Sequence, residues 1–129
     1  MSDRQGVVWN FPAARRGRVT LECRIVGAGF RLTLADRWMN PCDETNPSRS
    51  PFSCAVDAPA LRAAGWHAVT VAWDCAAGTA VFSIDGRPAA TEALASAPPF
   101  GLSYLHLQTL AEGTDGEGTL FRSFAMDAE

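Results

Sequence analysis

Apolar side chains alternate with polar or small ones along most of this chain. Val19, Leu21, Cys23 and Ile25 alternate with Thr20, Glu22 and Arg24. Phe30, Leu32 and Leu34 alternate with Arg31 and Thr33, and Val69, Val71 and Trp73 with Ala68, Thr70 and Ala72. Leu105 and Leu107 alternate with Tyr104, His106 and Gln108. A period of two sends successive side chains to opposite faces of a strand, whereas a helix repeats its apolar positions at three and four. The pattern predicts half-buried antiparallel strands over 18–26, 30–36, 67–73, 79–84, 102–109 and 119–126, with Trp9 and Phe11 in a first strand.

The breaks fall where these strands need them. Gly27-Ala28-Gly29 makes a turn, and Asp74 to Gly78 separates two strands. Asp85-Gly86, ahead of Arg87-Pro88-Ala89, is a hairpin signal, because glycine tolerates positive φ. Ala97-Pro98-Pro99 precedes the strand at 102–109, and Glu112 to Gly118 is a loop of glycines and acids. Residues 58–65 have a helical composition but room for only one or two turns. Segment 39–51, Met-Asn-Pro-Cys-Asp-Glu-Thr-Asn-Pro-Ser-Arg-Ser-Pro, is one long loop, and loops of this length often carry function. Many short strands with this spacing build a sandwich or a barrel.

Composition narrows the class. The 129 residues are 47% apolar and 19% charged, which suits one globular domain over 1–129 and excludes disorder. A net charge of −3 argues against a nucleic-acid partner. No apolar run is long enough to span a membrane, and residues 1–5 lack the apolar core of a signal peptide. The location stays open between the cytoplasm and a part excised from an exported protein. All 11 basic residues are arginine, as GC-rich bacterial coding would give. Cys23, Cys42, Cys54 and Cys75 have no metal-site spacing. Two readings stand for them: a Cys42–Cys54 staple across the long loop, or buried thiols.

The run Gly65-Trp66-His67-Ala68-Val69-Thr70-Val71-Ala72-Trp73-Asp74, then Gly78 to Gly86 ending in Ile84-Asp85-Gly86, resembles the central hairpins of laminin-G-like, concanavalin A-like jelly rolls. Leu34-Ala35-Asp36-Arg37-Trp38-Met39-Asn40-Pro41 and Gly101 to Gln108, followed by Asp115 and Gly118-Thr119-Leu120, are similar to the sandwich modules attached to bacterial sialidase-like glycosidases. The resemblance implies an all-β antiparallel jelly-roll sandwich. It also implies a structural Ca²⁺, for which Asp36, Asp43, Asp115 and Asp127 supply the hard oxygen ligands such an ion takes. The Asp-box repeat of the sialidase propeller is absent from the sequence.

Catalytic patterns are sparse. No strand carries the alternating carboxylates of a glucan hydrolase; Asp43 and Glu44 are adjacent and would face opposite ways. There is no nucleophile elbow, phosphate loop or H-E-x-x-H. Tyr104, His106 and Gln108 share one side of their strand. If strands 18–26, 30–36, 102–109 and 119–126 pair in one sheet, its outer face gathers these with Arg31, Arg122, Glu22 and Arg24. Arg122 is expected on a face with Leu120, Phe124 and Met126. An aromatic ring flanked by amides and guanidinium groups suits a sugar, and an anionic sugar favours the arginines. The plain alternative is the wet face that any antiparallel sheet needs. Trp38 reads either as an exposed stacking platform or as a core plug, and of Trp66 and Trp73 one faces out unless a bulge intervenes.

These readings imply a non-catalytic carbohydrate-binding module with a glycan partner, using Tyr104, His106, Gln108, Arg122, Arg31 and Trp38 on a sheet face or a loop rim. The alternatives are a packing module for a catalytic domain or a symmetry mate, and a small glycoside hydrolase.

Overall fold

The computed structural model describes residues 6–43, 45–96, 98–111 and 118–128. Among the described residues nine strands form two antiparallel sheets: β1 (Gly6–Ala14), β2 (Arg16–Ile25), β3 (Phe30–Ala35), β4 (Phe52–Val56), β5 (His67–Asp74), β6 (Thr79–Ile84), β7 (Arg87–Ala93), β8 (Leu102–Thr109) and β9 (Thr119–Ala128). One sheet has the order β1-β8-β3-β4, the other β7-β6-β5-β2-β9. The protein is an all-β antiparallel sandwich.

The alternation read from the sequence sets the core. Phe30, Leu32, Leu34, Leu105 and Leu107 point inward from the four-stranded sheet, and Val19, Leu21, Cys23, Val69, Val71 and Trp73 from the five-stranded one; all are buried. Trp73 ties the layers together. Its ring lies 5.8 Å from that of Phe11 in β1, and its Nε1 donates to the Ala14 carbonyl at 2.9 Å. Trp66 lies outside this core, so the two tryptophans do face opposite ways. The β6–β7 hairpin turns at Asp85 and Gly86, whose φ of 50° and 80° give the primed turn that matches strand twist.

Three sequence readings are corrected. Strand β4 lies where none was expected, pairing Phe52 with Leu34 and Val56 with Phe30. Strands β2 and β3, joined by the Gly27–Gly29 turn, belong to different sheets, and so do β8 and β9. The shared outer face is therefore split. Arg122 does not share a side with Phe124 and Met126, because Ser123, at φ 59°, forms a bulge that shifts the register of β9 against β2. Of the two readings of the cysteines, the thiols hold: all four are free, Cys23 and Cys75 buried and Cys42 and Cys54 partly so, and no Cys42–Cys54 staple forms. Burial, with Glu92 adding to it, pushes the Cys54 thiol up to about 12. The segment with helical composition makes only a single 3-10 turn, Pro59–Arg62.

Candidate functional site

The outer face of the four-stranded sheet brings four of the expected residues together. Gln108 stands in register with Arg31, His106 with Thr33, and Tyr104 with Ala35. This face is not open. The chain between β3 and β4 folds back across it, leaving His106 and Gln108 1% and 3% exposed. The Pro41 carbonyl accepts from His106 Nε2 at 2.8 Å and from Gln108 Nε2 at 3.1 Å. Because Nε2 is the donor, Nδ1 is the bare acceptor, and it lies buried without a partner. Burial holds the imidazole below its ordinary pKa, only partly offset by the Pro41 bond and the Asp43 charge. Gly6 in β1 makes room for the clasp: a Cβ there would sit 2.2 Å from the Pro41 oxygen. Tyr104 is half-buried at the other end of the strand.

The covering loop is built on two Asn-Pro steps. Asn46 Nδ2 donates to the Asn40 carbonyl at 2.6 Å, and the Ser50 hydroxyl donates to the Asn46 carbonyl at 2.7 Å. Met39, Asn46 and Ser50 are buried as its internal core. Proline fixes the backbone after each asparagine, and asparagine side chains stabilise such turns. The dipeptides at 40–41 and 46–47 are the sequence signal for this structure.

What the loop presents to solvent is a rim. Trp38 is 64% exposed. It borders a cavity of about 230 Å³ whose other walls are Arg37, Met39, Asn40, Asp43, Asn46 and Arg49. Asp43 accepts from the Thr45 hydroxyl at 2.7 Å, from the Thr45 amide at 2.9 Å and from Arg49 Nη2 at 3.0 Å. The Thr45 bonds, with Arg49 after them, hold its carboxyl below the usual range. The rim thus sets a broad indole face beside two guanidinium groups, a carboxylate and two amides. Arg37, Asn40, Asn46 and Arg49 were not singled out in the sequence, where single polar residues in a loop carry no periodicity to mark them.

The remaining expected residues lie apart. Arg122 is on the outer face of the five-stranded sheet, 3.2 Å from Glu22 and with its guanidinium 4.1 Å over the Trp66 ring. Asp36 pairs with Arg37 at 3.4 Å and Asp127 with Arg18 at 3.3 Å, while Asp115 lies outside the described residues. Among the described residues no three His, Cys, Asp or Glu side chains gather as metal ligands.

Comparison with known proteins bears on the fold. No family model matches the sequence, and no curated protein matches it. A solved structure of a sialidase superposes with a TM-score of 0.68 at 9% identity, over 98% of this chain and 14% of that one. The endo-1,3-beta-glucanase from Streptomyces sioyaensis gives 0.47 at 14% identity, over 98% and 72% of the two chains. At 9% identity the likeness to the sialidase is one of fold, and this chain spans only 14% of the sialidase's length.

Proposed function

We propose that this chain is a non-catalytic carbohydrate-binding module of the laminin-G-like, concanavalin A-like jelly-roll class, and that it holds its glycan on the loop rim rather than on the sheet face. The exposure of Trp38 carries this reading. An exposed indole offers a broad flat apolar face that a ligand can cover. A sugar ring packs its C–H face on such a surface while flanking amides, carboxylates and guanidinium groups bind its hydroxyls. His106 and Gln108 then act as anchors of the loop, and Arg31 borders the loop's opposite side. The superposed sialidase, of which a sandwich of this size is one small part, is in keeping with an accessory role.

A glycan array probed with the wild-type domain and with Trp38→Ala tests this. Wild type is expected to retain one class of glycan. Trp38→Ala is expected to lose about tenfold in affinity, the worth of an aromatic stacking contact, with its melting temperature unchanged. Silence of the wild type across the array would overturn the reading in favour of a packing module.

A further inference from the structure

We propose that the polar cavity beside Arg31 is a subsite for a carboxylate, so that the rim's ligand is an acidic glycan; this rests on the carbohydrate-binding reading. Arg31 is the one described arginine that is not exposed. Among the described residues its hydrogen-bond partner is a single neutral hydroxyl, Ser53 Oγ at 3.2 Å. Meanwhile the exposed Arg16, Arg18, Arg37, Arg49, Arg62 and Arg122 each pair with a carboxylate, where water makes the pairing least necessary. A half-buried cation bonded to one hydroxyl, with Glu92 lining a second cleft beside it but not bonded to it, has donors to spare, and its planar fork of donors matches a carboxylate.

The surroundings select the side on which that anion sits. Towards the loop, Arg31 borders a cavity of about 430 Å³ with Thr45, Pro47, Ser48, Gln108, Thr109 and Leu110, a lining of hydroxyls, an amide and two apolar side chains that holds no acid among the described residues. Towards β7 it borders a more apolar cleft with Phe82 and Ile84, and there Glu92 repels an anion. The short turn Asn46–Arg49 separates the Arg31 cavity from the Trp38 cavity: Pro47 and Ser48 line the first, Asn46 and Arg49 the second. An oligosaccharide crossing this turn stacks one ring on Trp38 and sets a carboxylate against Arg31.

The test measures binding of uronate-bearing oligosaccharides and of the same oligosaccharides with the carboxyl reduced to an alcohol. Wild type, Arg31→Met and Trp38→Ala are compared. Wild type is expected to bind the acidic form about ten- to hundredfold tighter than the reduced form, the range of a charge-assisted pair. Arg31→Met is expected to erase that difference, and Trp38→Ala to weaken both forms. The reduced ligand on the wild type needs no variant, so a folding defect in Arg31→Met leaves the test intact. Glycan binding that depends on Trp38 yet ignores the carboxyl would overturn this inference and spare the parent reading. Binding of neither form, with the wider array also silent, would overturn both.

Discussion

The two histidines have opposite surroundings, and the difference is measurable. His67 Nδ1 lies 2.8 Å from the Asp85 carboxylate and its Nε2 lies 3.0 Å from the Ala63 carbonyl. Both partners are acceptors, so the ring satisfies them only as an imidazolium, and the Asp85 bond raises its pKa above the ordinary 6.5. The stability it contributes is complete below 6.5 and is lost as pH rises through the raised value. His106 runs the other way. It is held neutral by burial, with Nδ1 unpartnered, so its contribution is complete above 6.5 and is lost as pH falls through the lowered value. A nitrogen-15 NMR titration is expected to show His67 still charged above pH 6.5 and His106 still a neutral Nε2–H tautomer below it. In melting curves against pH, His67→Gln removes the decline on the alkaline side and His106→Gln the decline on the acid side. Two rings titrating alike near 6.5 would defeat this assignment.

Two glycines separate turn strain from loop docking. Gly86 sits at φ 80° with open space where a methyl would stand, so Gly86→Ala costs only the left-handed conformation, about 1–2 kcal/mol, read as a lower melting temperature with the loop unchanged. Gly6→Ala instead drives a methyl against the Pro41 oxygen that both His106 and Gln108 hold. Its expected result is release of the loop: faster proteolysis within residues 36–50 and a change in the His106 tautomer, with the strands intact. A Gly6→Ala domain as protease-resistant as wild type would rule out the clasp. The hairpin at Asp85-Gly86 and seven of the nine strands among the described residues were legible, because period two and turn chemistry are local, and that hairpin implied the arm that became β7. Strand β4 was not: its alternation is only Phe52, Cys54 and Val56, and it follows directly on the proline-rich loop. The β9 bulge was hidden for a related reason, since the residue at positive φ is Ser123, not a glycine or asparagine that would have flagged it.

At the scale of the whole molecule, which strands share a sheet is decided by non-local pairing, and this lay beyond the sequence. A three-residue turn between β2 and β3 reads as a hairpin, yet β2 pairs with β5 and β9, and β3 with β4 and β8. The cover on the sheet face was equally hidden: alternation marks Tyr104, His106 and Gln108 as outward, and outward is true, but it does not tell water from an overlying loop. The consequence is a division of labour between tryptophans. Trp73 joins the sheets through Ala14 and Phe11, so Trp73→Phe leaves a buried carbonyl without its donor and is expected to cost about 1–3 kcal/mol in chemical denaturation. Trp38 touches the rim and little of the core, so Trp38→Ala is expected to stay within about 0.5 kcal/mol of wild type. Acrylamide should quench the Trp38 fluorescence freely and leave that of Trp73 shielded, and a bound glycan should protect Trp38 alone. If Trp38→Ala instead unfolds the domain, its indole is a structural plug and the rim loses its claim to a ligand. If only Trp73→Phe destabilises, the fold rests on Trp73 and Trp38 is left free for the proposed glycan, which is what a site displayed on an added loop requires.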